Sequence, residues 1–352
     1  MDYKKEIENL TDIVIKEGGS DLHLSSGRPP IVRVTGSLIP MVKKGLLSDN
    51  DMKGFVSALL TPDKLAILEK ERDVDFSYSL PQARFRGNAY YRQGALSVAL
   101  RLIPRVIRTL SELNLPPILE TFTRKPQGFF LVVGPIGQGK TTTMATLIEM
   151  INQTRSEHIL TIEDPIEYQF ESKKSIIDQR EVRLDTPDFA EALVSMFRED
   201  IDVCMVGEMR DIATMGTAVT AAETGHLIFS SLHTNNASQT INRIIDSFPP
   251  NQQDQIRIQL AGSLSGIFSQ RLIPRISGGL IPAFELLINN NAVSNLIREK
   301  RIHEIDTVIE TSSQEGMIDL NRSLVELVRA GEITLENAYM HSPNAKNLER
   351  MI

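Results

Sequence analysis

Residues 134–143 read GPIGQGKTTT, and no other stretch constrains the fold as tightly. Gly134-Pro135-Ile136-Gly137-Gln138-Gly139-Lys140-Thr141 satisfies the pattern G-x-x-x-x-G-K-[ST]. The apolar run GFFLVV before it reads as a buried strand. The run TTTMATLIEMINQ after it spaces Met144, Leu147, Ile148 and Ile151 as one helix face. Strand, loop and helix form the context in which this pattern cradles phosphate. Its glycines let successive backbone N–H groups curl around phosphate oxygens, and the following helix presents its positive end to them. Lys140 is expected to reach the β- and γ-phosphates of ATP, and the Thr141 hydroxyl to bind Mg2+. Gly134, Pro135, Gly137, Gln138, Gly139 and Thr142 are expected to complete the cradle.

Around that loop the chain has to fold into more than one domain, since its 352 residues exceed one domain of roughly 100–200. Residues 3–17 have the spacing of an amphipathic helix, with Ile7, Leu10 and Val14 on one face. Short alternating runs follow (LHL, IVRVTGSLIP, VDFSYSL, ARFRGNAYYRQG, LSVALRLIP) and read as strands. Two helical runs, SDNDMKGFVSALL and TPDKLAILEKE, lie between them; Thr61-Pro62 opens the second as a cap and first-turn proline. Residues 1–103 thus read as a small α+β domain. The proline-rich stretch 104–117 reads as a linker. From 118 to 285 apolar strands alternate with helices, which argues for a parallel sheet covered on both faces. Residues 286–352 turn polar and helical and read as a small helical subdomain.

Composition excludes several classes. The net charge of −7 gives no global field for nucleic acid or anionic lipid. The one cysteine, Cys204, lies in the apolar run IDVCMVG and reads as a core residue. It permits no internal disulfide and no four-cysteine zinc site, which fits a reducing cytoplasm. The first residues lack a signal-peptide pattern, and no window approaches the roughly 20 apolar residues that cross a bilayer. Any membrane association is expected to come through a partner.

Ligands of open α/β sheets sit at the carboxyl ends of strands. Two further strands end there in acid: HILTIED in Glu163-Asp164 and DVCMVGE in Glu208. Hydrolysis needs one carboxylate to orient or deprotonate water and another to serve Mg2+. Glycine at 207 precedes Glu208, where common phosphate-loop enzymes carry aspartate, so direct metal ligation by aspartate is not expected there. His226 and His233 bracket the run LIFSSL and are candidates to sense the γ-phosphate or to relay between subunits.

The ordered set GPIGQGKTTT, TIEDPIEY, VGEMRD, TAAETGHLIFSSLHT and INRIIDSFP resembles the secretion ATPase superfamily, and within it the type IV pilus retraction ATPases. The likeness extends to EGGSDLHLSSGRPPIVRVTG near the start and NAVSNLIRE near the end. It implies a PAS-like first domain, a RecA-like P-loop ATPase core and a small helical subdomain. It assigns Glu163 as the catalytic glutamate, Glu208 as the Walker B acid and His226 with His233 as the His box. It also implies a homohexamer acting on an inner-membrane platform protein, at the inner face of the cytoplasmic membrane, to retract the pilus in twitching motility. Arginines of the first domain offset phosphate charge across such a ring; Arg84, Arg86, Arg92 and Arg101 are the candidates.

The sequence departs from that family at named places. Gln138 replaces a serine. Ile201 stands in REDID where proline is expected, which should loosen the turn. Ser230-Ser231 replaces Gly-Thr, and Ser294 replaces an arginine in a segment the resemblance ties to retraction rather than ATP binding. Pilus extension and type II secretion ATPases resemble the chain less, because they usually carry a longer N-terminal region and four metal-binding cysteines. An accessory retraction ATPase fits the same motifs. A nucleic-acid motor is disfavoured by charge and by the lack of a basic-aromatic run. A nucleotide-gated scaffold is disfavoured by the two glutamates.

Overall fold

The computed structural model describes residues 2–34, 36–81, 83–103 and 106–352. Its strands are β1 (Gly19–Ser25), β2 (Ile31–Val34), β3 (Ser37–Pro40), β4 (Asp73–Leu80), β5 (Ala83–Arg92), β6 (Ala95–Ile103), β7 (Gly128–Val133), β8 (His158–Glu163), β9 (Ile176–Glu181), β10 (Val203–Val206), β11 (Leu227–Leu232), β12 (Leu264–Pro274) and β13 (Leu280–Ile288). Its helices are α1 (Tyr3–Lys16), α2 (Asp49–Leu59), α3 (Pro62–Glu71), α4 (Glu120–Thr123), α5 (Lys140–Thr154), α6 (Phe189–Met196), α7 (Ile212–Glu223), α8 (Ala237–Asp246), α9 (Pro250–Ser263), α10 (Asn291–Arg298), α11 (Ile305–Thr311), α12 (Leu320–Arg329), α13 (Leu335–His341) and α14 (Ala345–Met351). The chain divides into two compact units: Met1–Val106 with Glu167–Gln169, and Ile107–Ile166 with Phe170–Ile352.

The first unit is an antiparallel six-stranded sheet ordered β3-β2-β1-β6-β5-β4. Alternation decides its two faces, since successive side chains point to opposite sides. Leu22, Leu24, Phe85 and Leu100 face a core shared with Ile7 and Leu10 of α1 and Phe55 of α2. The capping box of Ser48 and Asp51 starts α2 as its sequence suggests. The opposite face carries Asp21, Arg86 and Arg101 in one row of register.

The second unit carries a seven-stranded sheet ordered β13-β12-β7-β11-β10-β8-β9, parallel from β12 to β9, with β13 antiparallel at one edge. Every residue of β7 is buried. Phe129, Leu131 and Val133 enter a core with α6 through α9, while Phe130 and Val132 enter another with Met144, Leu147, Ile148 and Ile151 of α5. A strand covered on both faces has to be apolar throughout, which explains the run GFFLVV. A separate cluster joins Ile273 and Ile281 of the β12–β13 hairpin to Leu320 and Leu324 of α12.

Pro104 and Arg105, at the head of the expected linker, lie outside the described residues. Further along that stretch Leu110 and Leu115 are buried in the core beside α5. The turn after α6 is anchored, contrary to expectation. Ile201 is buried, and the Asp202 carboxylate accepts the His158 N–H at 2.8 Å. Apolar burial holds the turn where proline would have stiffened it. The Ser294 hydroxyl donates to Ala261 O at 2.9 Å, tying α10 to the end of α9.

Candidate functional site

The loop between β7 and α5 has its expected form. Gly134 and Gly139 have φ of 147° and 79°, outside the range that L side chains readily adopt. A Cβ at Gly134 would also lie 2.4 Å from the Gln270 carbonyl oxygen. Lys140 opens α5 and is 7% exposed. Its ammonium donates to Gly134 O at 2.7 Å and Pro135 O at 2.9 Å, and lies 3.1 Å from His233 Nδ1. Thr141 and Thr142 follow it, half-buried, in the first helical turn.

Three further strands of the parallel sheet end on the same side as this loop. Gly207 N–H donates to Ile162 O at 2.8 Å, which sets the end of β10 beside that of β8. Glu163, at the end of β8, is 2% exposed. One of its oxygens accepts the Thr161 hydroxyl at 2.7 Å and the Gln179 amide at 3.3 Å. Glu208, one residue past Gly207, pairs with Arg210 and lies 3.3 Å from His233 Nε2. Burial pushes its carboxyl up. The hydrogen bond and charge of Arg210, joined by His233, outweigh burial and hold it below the ordinary glutamate value. Asp164 faces the same guanidinium at 4.0 Å. Ser230 and Ser231, where the resemblance has Gly-Thr, donate to Val206 O at 2.9 Å and Gly207 O at 2.6 Å and so fasten β11 to β10. A cavity of about 450 Å³ opens beside Glu208 and His233, with Arg210 and Arg243 on its wall.

His226 and His233 do not share this site. His226 precedes β11, bonded to Ala221 O and packed edge-on against Phe197, whereas His233 follows it. Seven residues of extended chain separate them by roughly 23 Å. Within one chain His233 lies beside the phosphate loop and His226 at the opposite end of β11. The spacing of seven along one strand already carried this signal. Arg84 and Arg86 of β5 and Arg101 of β6 belong to the first unit, with Arg92 at the end of β5. Arg101 Nε donates to Asp21 at 2.8 Å and Arg84 to the Ser77 hydroxyl at 3.2 Å. The sequence reading missed Arg210, Thr161 and Gln179. Arg210 lies two positions from Glu208 and was within reach of it; the partners of Glu163 needed the paired strands.

The donor set suits Mg2+, a hard cation that takes few protein oxygens and keeps several waters. The Thr141 hydroxyl and the Glu208 carboxylate supply oxygen only. Among the described residues no group of three or more His, Cys, Asp or Glu is arranged to hold a metal. Among the described residues no helix is long and apolar enough to cross a membrane.

The family model for type II/IV secretion system proteins matches residues 6–338. The type IV pilus retraction ATPase PilT of Pseudomonas aeruginosa is 41% identical over 95% of this chain and 97% of its own length. A twitching motility protein of Neisseria gonorrhoeae is 42% identical over 91% of this chain and 86% of its own. The crystal structure of the pilus retraction motor PilT with bound ADP superposes with a TM-score of 0.91 at 45% identity, covering all of both chains. A phosphate loop seated among two strand-end glutamates and a histidine, carried by this matched length, makes the chain a member of the type II/IV secretion system protein family.

Proposed function

We infer that this chain is an ATPase that powers type IV pilus retraction, and hence twitching motility. The observation that carries the reading is the convergence of Lys140, Glu163, Glu208 and His233 at the carboxyl ends of β7, β8, β10 and β11. For partner and assembly the reading takes what the resemblance implies: a homohexamer working on an inner-membrane platform protein, with no nucleic acid and no membrane contact except through that partner.

The chemistry divides among the chain's own groups. The loop's N–H groups and the start of α5 bind the phosphates of ATP. Lys140, released from the carbonyls of Gly134 and Pro135, offsets charge on the β- and γ-phosphates. The Thr141 hydroxyl and the Glu208 carboxylate would hold Mg2+, which would supply positive charge to the phosphate oxygens. Glu163 takes the proton of the attacking water, and ADP and phosphate are the products. The division between the acids follows the resemblance. Glu208 lies against the cationic Arg210, which depresses its basicity. Thr161 and Gln179 hydrogen-bond to Glu163 and orient it. His233, between Lys140 and Glu208, registers the γ-phosphate. Arg84, Arg86 and Arg101 serve the site of a neighbouring chain.

The test is Mg2+-dependent hydrolysis against protein concentration, with mass photometry alongside. Turnover is expected to rise with hexamer formation. Glu163→Gln is expected to lower kcat by about 10²–10⁴ while ATP still binds. Activity equal in the monomer, or retained by Glu163→Gln, overturns the reading.

A further inference from the structure

The phosphate loop is shaped from outside itself. Gln270 of β12 is 3% exposed and lies far along the chain from the loop. Its amide nitrogen donates to Gln138 O at 2.7 Å, and its amide oxygen accepts the Thr143 hydroxyl at 2.7 Å. The amide orientation follows from its partners, because a carbonyl can only accept. β12 pairs with β7 only as far as Ser269↔Val133, and the residues beyond run beside the loop. There Leu272 N–H donates to the side-chain oxygen of Gln138 at 2.6 Å. Both outer glycines are pressed against the same residue: a Cβ at Gly139 would lie 2.9 Å from the Gln270 amide nitrogen, as one at Gly134 meets its carbonyl oxygen.

We propose that Gln270 is a positioning residue for nucleotide: it turns the Gln138 carbonyl away from the cradle and couples that peptide to the first turn of α5. A phosphate cradle works only while its N–H groups converge, since a carbonyl turned inward sets negative charge against the phosphate. Peptides beside glycines reorient at little steric cost, so the loop needs an external clasp. One planar amide offers a donor to the loop and an acceptor to the helix at once. Glutamate keeps only the acceptor, and methionine keeps neither. The Gln138 side chain, where the resemblance has serine, adds a second clasp to the same strand.

The inference rests on the loop being the nucleotide site, and the controls separate the two. The full-length protein is titrated with fluorescently labelled ADP, and KM and kcat for ATP are measured. Gln270→Glu and Gln270→Met are each expected to weaken ADP binding about tenfold, with KM changing more than kcat. Thr143→Val, which breaks only the helix end of the bridge, is expected to weaken binding by less than a third as much. Gln270→Met and Thr143→Val are expected to lower the thermal midpoint without nucleotide by similar amounts. The proposal is overturned if both Gln270 variants bind ADP as the parent does. It also falls if Thr143→Val weakens binding equally, because the amide would then only anchor α5. If Lys140→Ala loses binding while the Gln270 variants keep it, this proposal alone fails. If Lys140→Ala binds as the parent does, the loop is not the nucleotide site and both readings fail.

Discussion

Strands β7 and β11 of the second unit are buried at all six positions, whereas β5 of the first alternates buried and half-exposed over its first eight. The difference decides where each unit can carry charge. Helices cover both faces of the parallel sheet, so an ionised side chain within β7 or β11 would be stranded without water. Charged groups are pushed to the strand ends, where Glu163, Glu208 and His233 gather around one loop. The antiparallel sheet covers one face only. Its open face accepts Asp21, Arg86 and Arg101 as a row across three strands. One unit builds a convergent point, and the other builds a charged surface.

Three substitutions test that contrast, beginning with the largest effect. Phe130 is fully buried and stacks 4.3 Å from Phe122 and 5.9 Å from Phe229. Phe130→Ala is expected to cost about 3–5 kcal/mol in urea unfolding. A loss under about 1 kcal/mol would mean that the parallel sheet is not packed on this face. Arg86→Ala on the open face is expected to change stability by no more than about 0.5 kcal/mol. Hydrolysis by the assembled protein should nevertheless fall tenfold or more, as for an arginine acting on phosphate charge. Full activity in Arg84→Ala, Arg86→Ala and Arg101→Ala alike would remove this face from the catalytic account.

The smallest effect concerns Asp21. Burial raises its carboxyl, but the hydrogen bonds of Arg101 and Ser20, with the Arg101 charge, outweigh burial and hold it below the ordinary aspartate value. A carboxyl depressed in the folded state stabilises above its unfolded pKa, and that stability is lost as pH falls through the folded value. The Arg101 side chain is largely exposed, so the contribution stays below about 1 kcal/mol. Parent and Asp21→Asn should therefore differ in urea midpoint at neutral pH, and the gap should close progressively as pH falls below the ordinary aspartate value. A constant gap between them would show that Asp21 acts by shape rather than charge.

Much of this molecule was legible from residue order. The strands of the first unit fall where alternation places them, with IVRVTGSLIP resolving into the β2–β3 hairpin. Helix α3 begins at Pro62 after Thr61, as its cap and first-turn proline indicate. Other elements of the second sheet were not legible. β9, IIDQRE, carries four polar residues of six because it packs at an edge, and no apolar run announces it. β12 follows α9 directly, with Ser263 ending one element and Leu264 opening the other, so no turn residue marks the change.

The sequence by itself determined the phosphate loop, the helix after it and the acids at two strand ends. Each depends on contacts among near neighbours in the chain, and such contacts leave a fixed spacing. Tertiary structure alone decided that His233 joins Lys140 while His226 faces Phe197. It alone set Gln270 against Gln138 and Thr143. These pairings arise from strand order in the sheet, which places distant segments side by side and leaves no periodicity in the chain to announce them.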